Sequence, residues 1–96
     1  MNFNEQTMPY RRGRILALLK VSNENGMSGP LLRTTLQGFG YKCDADTFAI
    51  DIDWLSRHGL LRSRDVGGIE MTTLTQRGRD VVTGNLEIPG VKLIED

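Results

Sequence analysis

Cys43 and His58 are the sole cysteine and histidine of the 96-residue sequence. A metal site needs three or four ligands at workable spacing. These two could approach that number only by recruiting a carboxylate, so neither a metal nor a cofactor is expected. Nucleophilic catalysis needs a nucleophile, a base and a group that orients the base. One histidine on a small helical domain is a thin basis for that, and the chain is not read as an enzyme. Cys43 reads as a small buried apolar residue. His58, at the end of a helical pattern, is explained by the negative end of the helix dipole. Asp51 and Asp53 fall on different helix faces and read as solvated carboxylates. What remains is charge in clusters: Arg11, Arg12 and Arg14; Arg62 and Arg64; Arg77 and Arg79; and, against them, Asp44, Asp46, Asp51 and Asp53 with Arg57 as the one cation of their helix. Grouped arginines suit phosphate oxygens, which makes nucleic-acid binding the chemistry to test.

The elements that would position these charges centre on residues 43–74. Asp44 can cap a helix N-terminus. Phe48, Ile52 and Leu55 recur at i, i+4 and i+7, on one helical face. Gly59 suits a left-handed helix ending. Residues 60–64 read as a strand, residues 65–68 as a turn in which Gly67-Gly68 supply positive φ angles, and residues 69–74 as the returning strand. Before this stretch, Pro9 can open a first helix from Tyr10 to about Asn23, with Ile15, Leu18 and Leu19 on its apolar face. Its arginines read either as a solvated face or as a contact to phosphate or an acidic partner. Ser28 caps a second helix over about residues 29–37, where Leu32, Leu36 and Phe39 form the expected buried stripe. Residues 41–43 are expected to be extended and to pair with the hairpin. Thr75 caps a last helix through Thr83, and Gly84 ends it.

Three helices followed by a hairpin give an α+β winged helix-turn-helix: a three-helix core, a β-hairpin wing and a short C-terminal helix. The division expected is a flexible N-terminus over residues 1–8, the winged domain over 9–84, and an apolar tail over 85–96. The tail holds Leu86, Ile88, Val91, Leu93 and Ile94. Left bare, these would form a costly patch, so the tail is expected to dock on its own domain or to form a dimer.

Lysines and arginines equal aspartates and glutamates, 12 each, for a formal net charge of zero. This is not the composition of a general polyanion binder, so any DNA contact must come from segregated charge. A single cysteine excludes an intramolecular disulfide. No apolar run is long enough to span a bilayer, and the first residues lack the pattern of a signal peptide. A cytoplasmic protein with no membrane partner is expected.

In a helix-turn-helix the second helix enters the major groove. Here its outward side carries Asp46, Ile50, Asp53 and Arg57, flanked by Thr47, Ala49 and Trp54. Several carboxylates near a polyanion cost affinity, so the wing arginines are expected to lead. The DNA-contact set is Thr47, Ile50, Arg57, Arg62, Arg64 and Arg77, with double-stranded DNA as partner and a homodimer presenting two wings. The alternative is a module for a protein partner, using Asp46, Ile50, Asp53 and Trp54.

The span CDADTFAIDIDWLSRHGLL, residues 43–61, resembles the helix-turn-helix of DeoR- and ArsR-type bacterial regulators. Those regulators commonly have basic residues where this chain has Ala49 and Ile50. The segments DVGGIEMTTLTQRGRDVVTG and IPGVK resemble a family of small, ArsR-like winged-helix proteins of Mu-like transposable prophages. That resemblance implies a phage or prophage origin and a bacterial cytoplasm, and with the DNA-contact set above the expectation is a regulator of prophage genes. It names no operator and no effector.

Overall fold

The computed structural model describes residues 3–22 and 24–93. Seven elements follow in order: α1 (Phe3–Val21), β1 (Met27–Ser28), α2 (Gly29–Gly38), α3 (Ala45–Arg57), β2 (Leu61–Val66), β3 (Ile69–Leu74) and α4 (Gln76–Val82). Three helices pack over an antiparallel sheet of order β1-β3-β2, the arrangement of a winged helix-turn-helix.

α2, α3 and α4 each start as their local chemistry dictates. Ser28 Oγ accepts from the Leu31 N–H at 3.3 Å, and Pro30 occupies the first turn of α2, where a missing N–H costs nothing. Asp44 Oδ1 accepts from the Thr47 N–H at 2.7 Å. That bond to the ionised carboxylate holds the Asp44 pKa below 3.8. The α3 terminus closes through Leu60 N–H to Leu55 O and Gly59 N–H to Ser56 O, with Gly59 at φ +72°. This double bond pattern satisfies the last carbonyls and turns the chain straight into β2. Thr75 Oγ1 accepts from the Gly78 N–H and donates to the Gly59 carbonyl, so α4 starts against the end of α3. Gly78 is required there, because a Cβ would fall on the Leu60 carbonyl.

The core joins all three main helices to the base of the wing. Ile15, Leu16, Leu32, Leu36, Leu55, Leu60 and Leu61 are buried in one cluster, with Phe48, Ile52 and Val81. Leu61 and Leu74 pair at the foot of the hairpin, and Thr72 is buried beside them with its hydroxyl on the Met27 carbonyl at 2.8 Å.

Several expectations are corrected. α1 begins at Phe3, not Tyr10, so residues 3–8 belong to the helix and Pro9 lies inside it. Pro9 removes one helical N–H, and side chains hold the turns before it. Thr7 Oγ1 donates to the Phe3 carbonyl at 3.0 Å, and Arg11 Nη1 donates to Asn4 Oδ1 at 3.0 Å. Arg11 and Arg12 are not a solvated face, nor is Asp51 solvated: all three are buried. Arg11 Nε donates to Asp51 Oδ2, and Arg12 Nε donates to Asp51 Oδ1 at 3.0 Å. The acidic partner of these arginines is therefore internal. Phe39 is not in the buried stripe; it caps α2 and is 54% exposed, with the Arg14 guanidinium over its ring. The segment that pairs with the wing is Met27–Ser28, not residues 41–43, which form no strand.

The tail crosses α1. Leu86, Ile88 and Val91 pack against the core, and the Lys92 N–H donates to the Pro9 carbonyl at 3.0 Å. Gly13 permits this crossing, because any Cβ there would meet the Lys92 carbonyl. Ile94 lies outside the described residues. Among the described residues no helix is long and apolar enough to cross a membrane.

Candidate nucleic-acid interface

The hairpin register sorts the wing into two unlike faces. On one, Arg62 pairs across with Thr73, Arg64 with Met71 and Val66 with Ile69. On the other, Ser63 pairs with Thr72 and Asp65 with Glu70. Alternation along a strand enforces this separation. One side of the wing is thus basic with an apolar tip, and the other is acidic towards the same tip. Glu70 is held on the acidic side by Ser63 Oγ at 2.8 Å and lies against Gly29 in the first turn of α2. The tip is Gly67-Gly68, at φ +61° and +86°. Asp65 and Val66 belong to the strand rather than to the turn.

α3 presents Asp46, Ala49, Ile50, Asp53 and Arg57 to solvent. Ile50, in the middle of this face, is 64% exposed. Arg57 Nε donates to Asp53 Oδ2 at 2.8 Å, one turn away, so the face's single cation already has a counter-ion. Thr47 is half-buried, with its backbone N–H engaged by Asp44. Trp54 does not share this face. It is half-buried, stacked on the His58 ring at 3.8 Å and covered by the Arg12 guanidinium at 4.1 Å. Gly90 of the tail lies against its edge, where a Cβ would collide. His58 Nδ1 lies 2.8 Å from the Trp54 carbonyl, which can only accept, so that nitrogen donates.

Of the remaining cations, Lys20, Lys42 and Arg79 are exposed with no counter-ion among the described residues, and others are engaged. Arg77 Nε donates to the His58 carbonyl at 2.9 Å, closing the end of α3 rather than facing outward unpaired. Arg33 Nε donates to the Cys43 carbonyl at 3.2 Å, just ahead of α3. Arg14 and Lys92 lie over the rings of Phe39 and Tyr10. Arg62 and Arg64 are both exposed and have no counter-ion among the described residues. They also share one face.

Of the expected contact residues, the fold brings Ile50 and Arg57 together on α3 and Arg62 with Arg64 on the wing. It assigns Arg77 to a capping bond and Trp54 to the packing under the tail. Arg33 was not expected near the site. Its signal lay in the spacing: one position past Leu32, it flanks the buried edge of α2, where a long side chain can reach the loop before α3. Cys43 is half-buried, and burial raises its thiol pKa above 9.0, against the opposing pull of Arg11. Among the described residues no group of three histidine, cysteine or acidic side chains could hold a metal ion.

No protein-family model matches the chain. The crystal structure of SSV1 F-93 superposes with a TM-score of 0.64 at 20% identity, covering 78% of this chain and 80% of that one. At that identity the likeness concerns the fold. The protein gp26 of Escherichia phage Mu is 33% identical over 76 residues, spanning 79% of this chain and 77% of gp26. This agrees with the resemblance of the wing and tail segments to proteins of Mu-like elements. The chain belongs to the family of phage Mu gp26.

Proposed function

We propose that this protein binds double-stranded DNA through its wing and acts as a regulator of phage or prophage genes in the bacterial cytoplasm, in the manner of ArsR-like regulators. The observation that carries this reading is the pair Arg62 and Arg64. They are exposed, share one strand face, and have no counter-ion among the described residues, in a protein whose other arginines are mostly engaged. A guanidinium without a protein partner retains its capacity for phosphate oxygens or for the negative potential of a minor groove.

The wing leads and α3 follows. With its basic face on the backbone, Thr47, Ile50 and Arg57 approach the major groove. Ile50 offers an apolar contact to a thymine methyl, and an aspartate can accept from a cytosine amino group. Asp46 and Asp53 repel phosphate, which restrains affinity for arbitrary sequences.

Fluorescence anisotropy with random duplex DNA at low and moderate salt tests this. Binding should weaken steeply with salt. Replacing both Arg62 and Arg64 with alanine should lower affinity and reduce the magnitude of the slope of log K against log salt by about 2 per bound protomer. A folded protein with no binding at low salt, or an unchanged slope in the double variant, would sink the wing-led reading.

A second reading rests on Ile50: a large aliphatic side chain exposed at the centre of an acidic face suits a protein partner of the phage or host. Replacing Asp46 and Asp53 with alanine separates the two. The change should strengthen DNA binding by removing repulsion, and should weaken a protein contact that uses those charges.

A further inference from the structure

We infer that the open edge of β2 docks an extended acidic segment of a partner protein, which adds antiparallel to the sheet as a further strand.

The hairpin register fixes which backbone groups face outward. Val66 and Ile69 flank a two-residue turn, so they form a hydrogen-bonded pair, as do Arg64 with Met71 and Arg62 with Thr73. The N–H and C=O groups of Leu61, Ser63 and Asp65 therefore point away from β3. No strand lies on that side of β2 among the described residues. Leu61 is buried at the foot of the wing, but residues 62–66 are all exposed. Ser63 and Asp65 thus each offer a donor and an acceptor to an incoming backbone.

Charge selects what the added strand carries. Its alternate side chains stand beside Arg62 and Arg64 on one face of the sheet. Both guanidiniums lack a counter-ion among the described residues, so glutamate or aspartate at every second position completes them. The intervening side chains fall on the face of Ser63, where Asp65 and Glu70 already stand. Uncharged residues suit that side. A second copy is the wrong occupant: with Ser63 opposite Ser63, two antiparallel β2 strands set Arg62 against Arg64. The existing sheet is wholly antiparallel, and antiparallel pairing is the slightly more stable kind. Main-chain bonds then supply affinity, and the alternate acids supply specificity. Strand addition is independent of DNA binding, but an acidic strand seated on β2 takes both arginines from a nucleic acid, so the two ligands exclude one another.

The test is fluorescence anisotropy of a labelled peptide of alternating threonine and glutamate, titrated with the full chain at low salt without DNA. It should bind, and the same peptide with lysine for glutamate should not. In an antiparallel strand the threonine N–H groups face β2 and the glutamate N–H groups face solvent. N-methylation of the threonines should therefore weaken binding by about tenfold or more, and N-methylation of the glutamates should be tolerated. On the protein, Ser63→Pro removes an outward N–H and leaves the ladder to β3 intact. It should weaken peptide binding to a similar degree, with helical circular dichroism retained. Absence of binding by the unmethylated peptide overturns the inference. Equal binding of the two methylated peptides also overturns it, because charge attraction alone then accounts for the contact. The reverse preference overturns the antiparallel pairing. Peptide binding by a protein that does not bind duplex DNA supports strand addition and counts only against the wing-led DNA reading.

Discussion

Asp51 binds two guanidiniums in the interior, and the energetic weight of that arrangement lies in what its loss would leave behind. A buried ion pair adds little over a well-packed apolar cluster, but removing one partner strands uncompensated charge. Asp51→Ala leaves Arg11 and Arg12 with no carboxylate and should cost about 3–5 kcal/mol in urea unfolding. Replacing all three residues by aliphatic side chains of similar volume should recover most of that loss. If Asp51→Ala unfolds at the wild-type urea midpoint, water or a rearranged arginine has taken over, and the cluster is not what ties α1 to α3. Cys43 makes the opposite case, of a group kept inert. Burial raises its thiol pKa above 9.0, which reduces the thiolate fraction at neutral pH. Alkylation by a bulky maleimide should be slow in the native protein and fast in denaturant; equal rates would show the thiol to be open.

At the level of elements, α3 is held at both ends by its flanks. The Asp44 cap works through the ionised carboxylate, and its pKa is depressed in the folded state. A depressed carboxylate stabilises above its unfolded value, 3.8, and that contribution disappears as pH falls through the lower folded value. The stability difference between the wild type and Asp44→Ala should therefore be present near neutrality and vanish well below pH 3.8. A difference that persists in acid would mean that the cap does not depend on charge. The caps at Ser28, Asp44 and Thr75, the Gly59 stop and the Gly67-Gly68 turn are all readable in the sequence, because each is set by neighbours within a few residues. The beginning of α1 is not, because Pro9 reads as a start signal and the turns before it are held by Thr7 and Arg11. Asp51 shows the same limit. By helical rotation it falls beside Leu55 at the edge of the buried arc, yet a charged residue there makes sense only once Arg11 and Arg12, some forty positions earlier, are known to face it. The strand that pairs with the wing is illegible for a similar reason: Met27–Ser28 and residues 41–43 are both short, and only the tertiary path decides which reaches β3.

For the whole molecule, a net charge of zero conceals a sorted surface. Much of the positive charge is spent internally or locally, at Asp51, at Asp53 and at backbone carbonyls, while the unpaired wing arginines stand apart from the carboxylates of α3. The four-way comparison of wild type, Arg62→Ala/Arg64→Ala, Asp46→Ala/Asp53→Ala and the combined variant should give additive changes in the free energy of DNA binding. Strong non-additivity would mean that the wing and α3 act on the same phosphates.

The strand order β1-β3-β2 leaves β2 with one ladder open to solvent among the described residues. An open strand edge is a template onto which another extended chain can add, and charged side chains are one means by which proteins keep such edges from sticking. Arg62, Arg64 and Asp65 occupy that edge. The same arginines that would grip a nucleic acid therefore also act as gatekeepers against fibrous self-association. Removing them should shorten the shelf life of concentrated protein, visible as rising light scattering on storage, even with DNA absent.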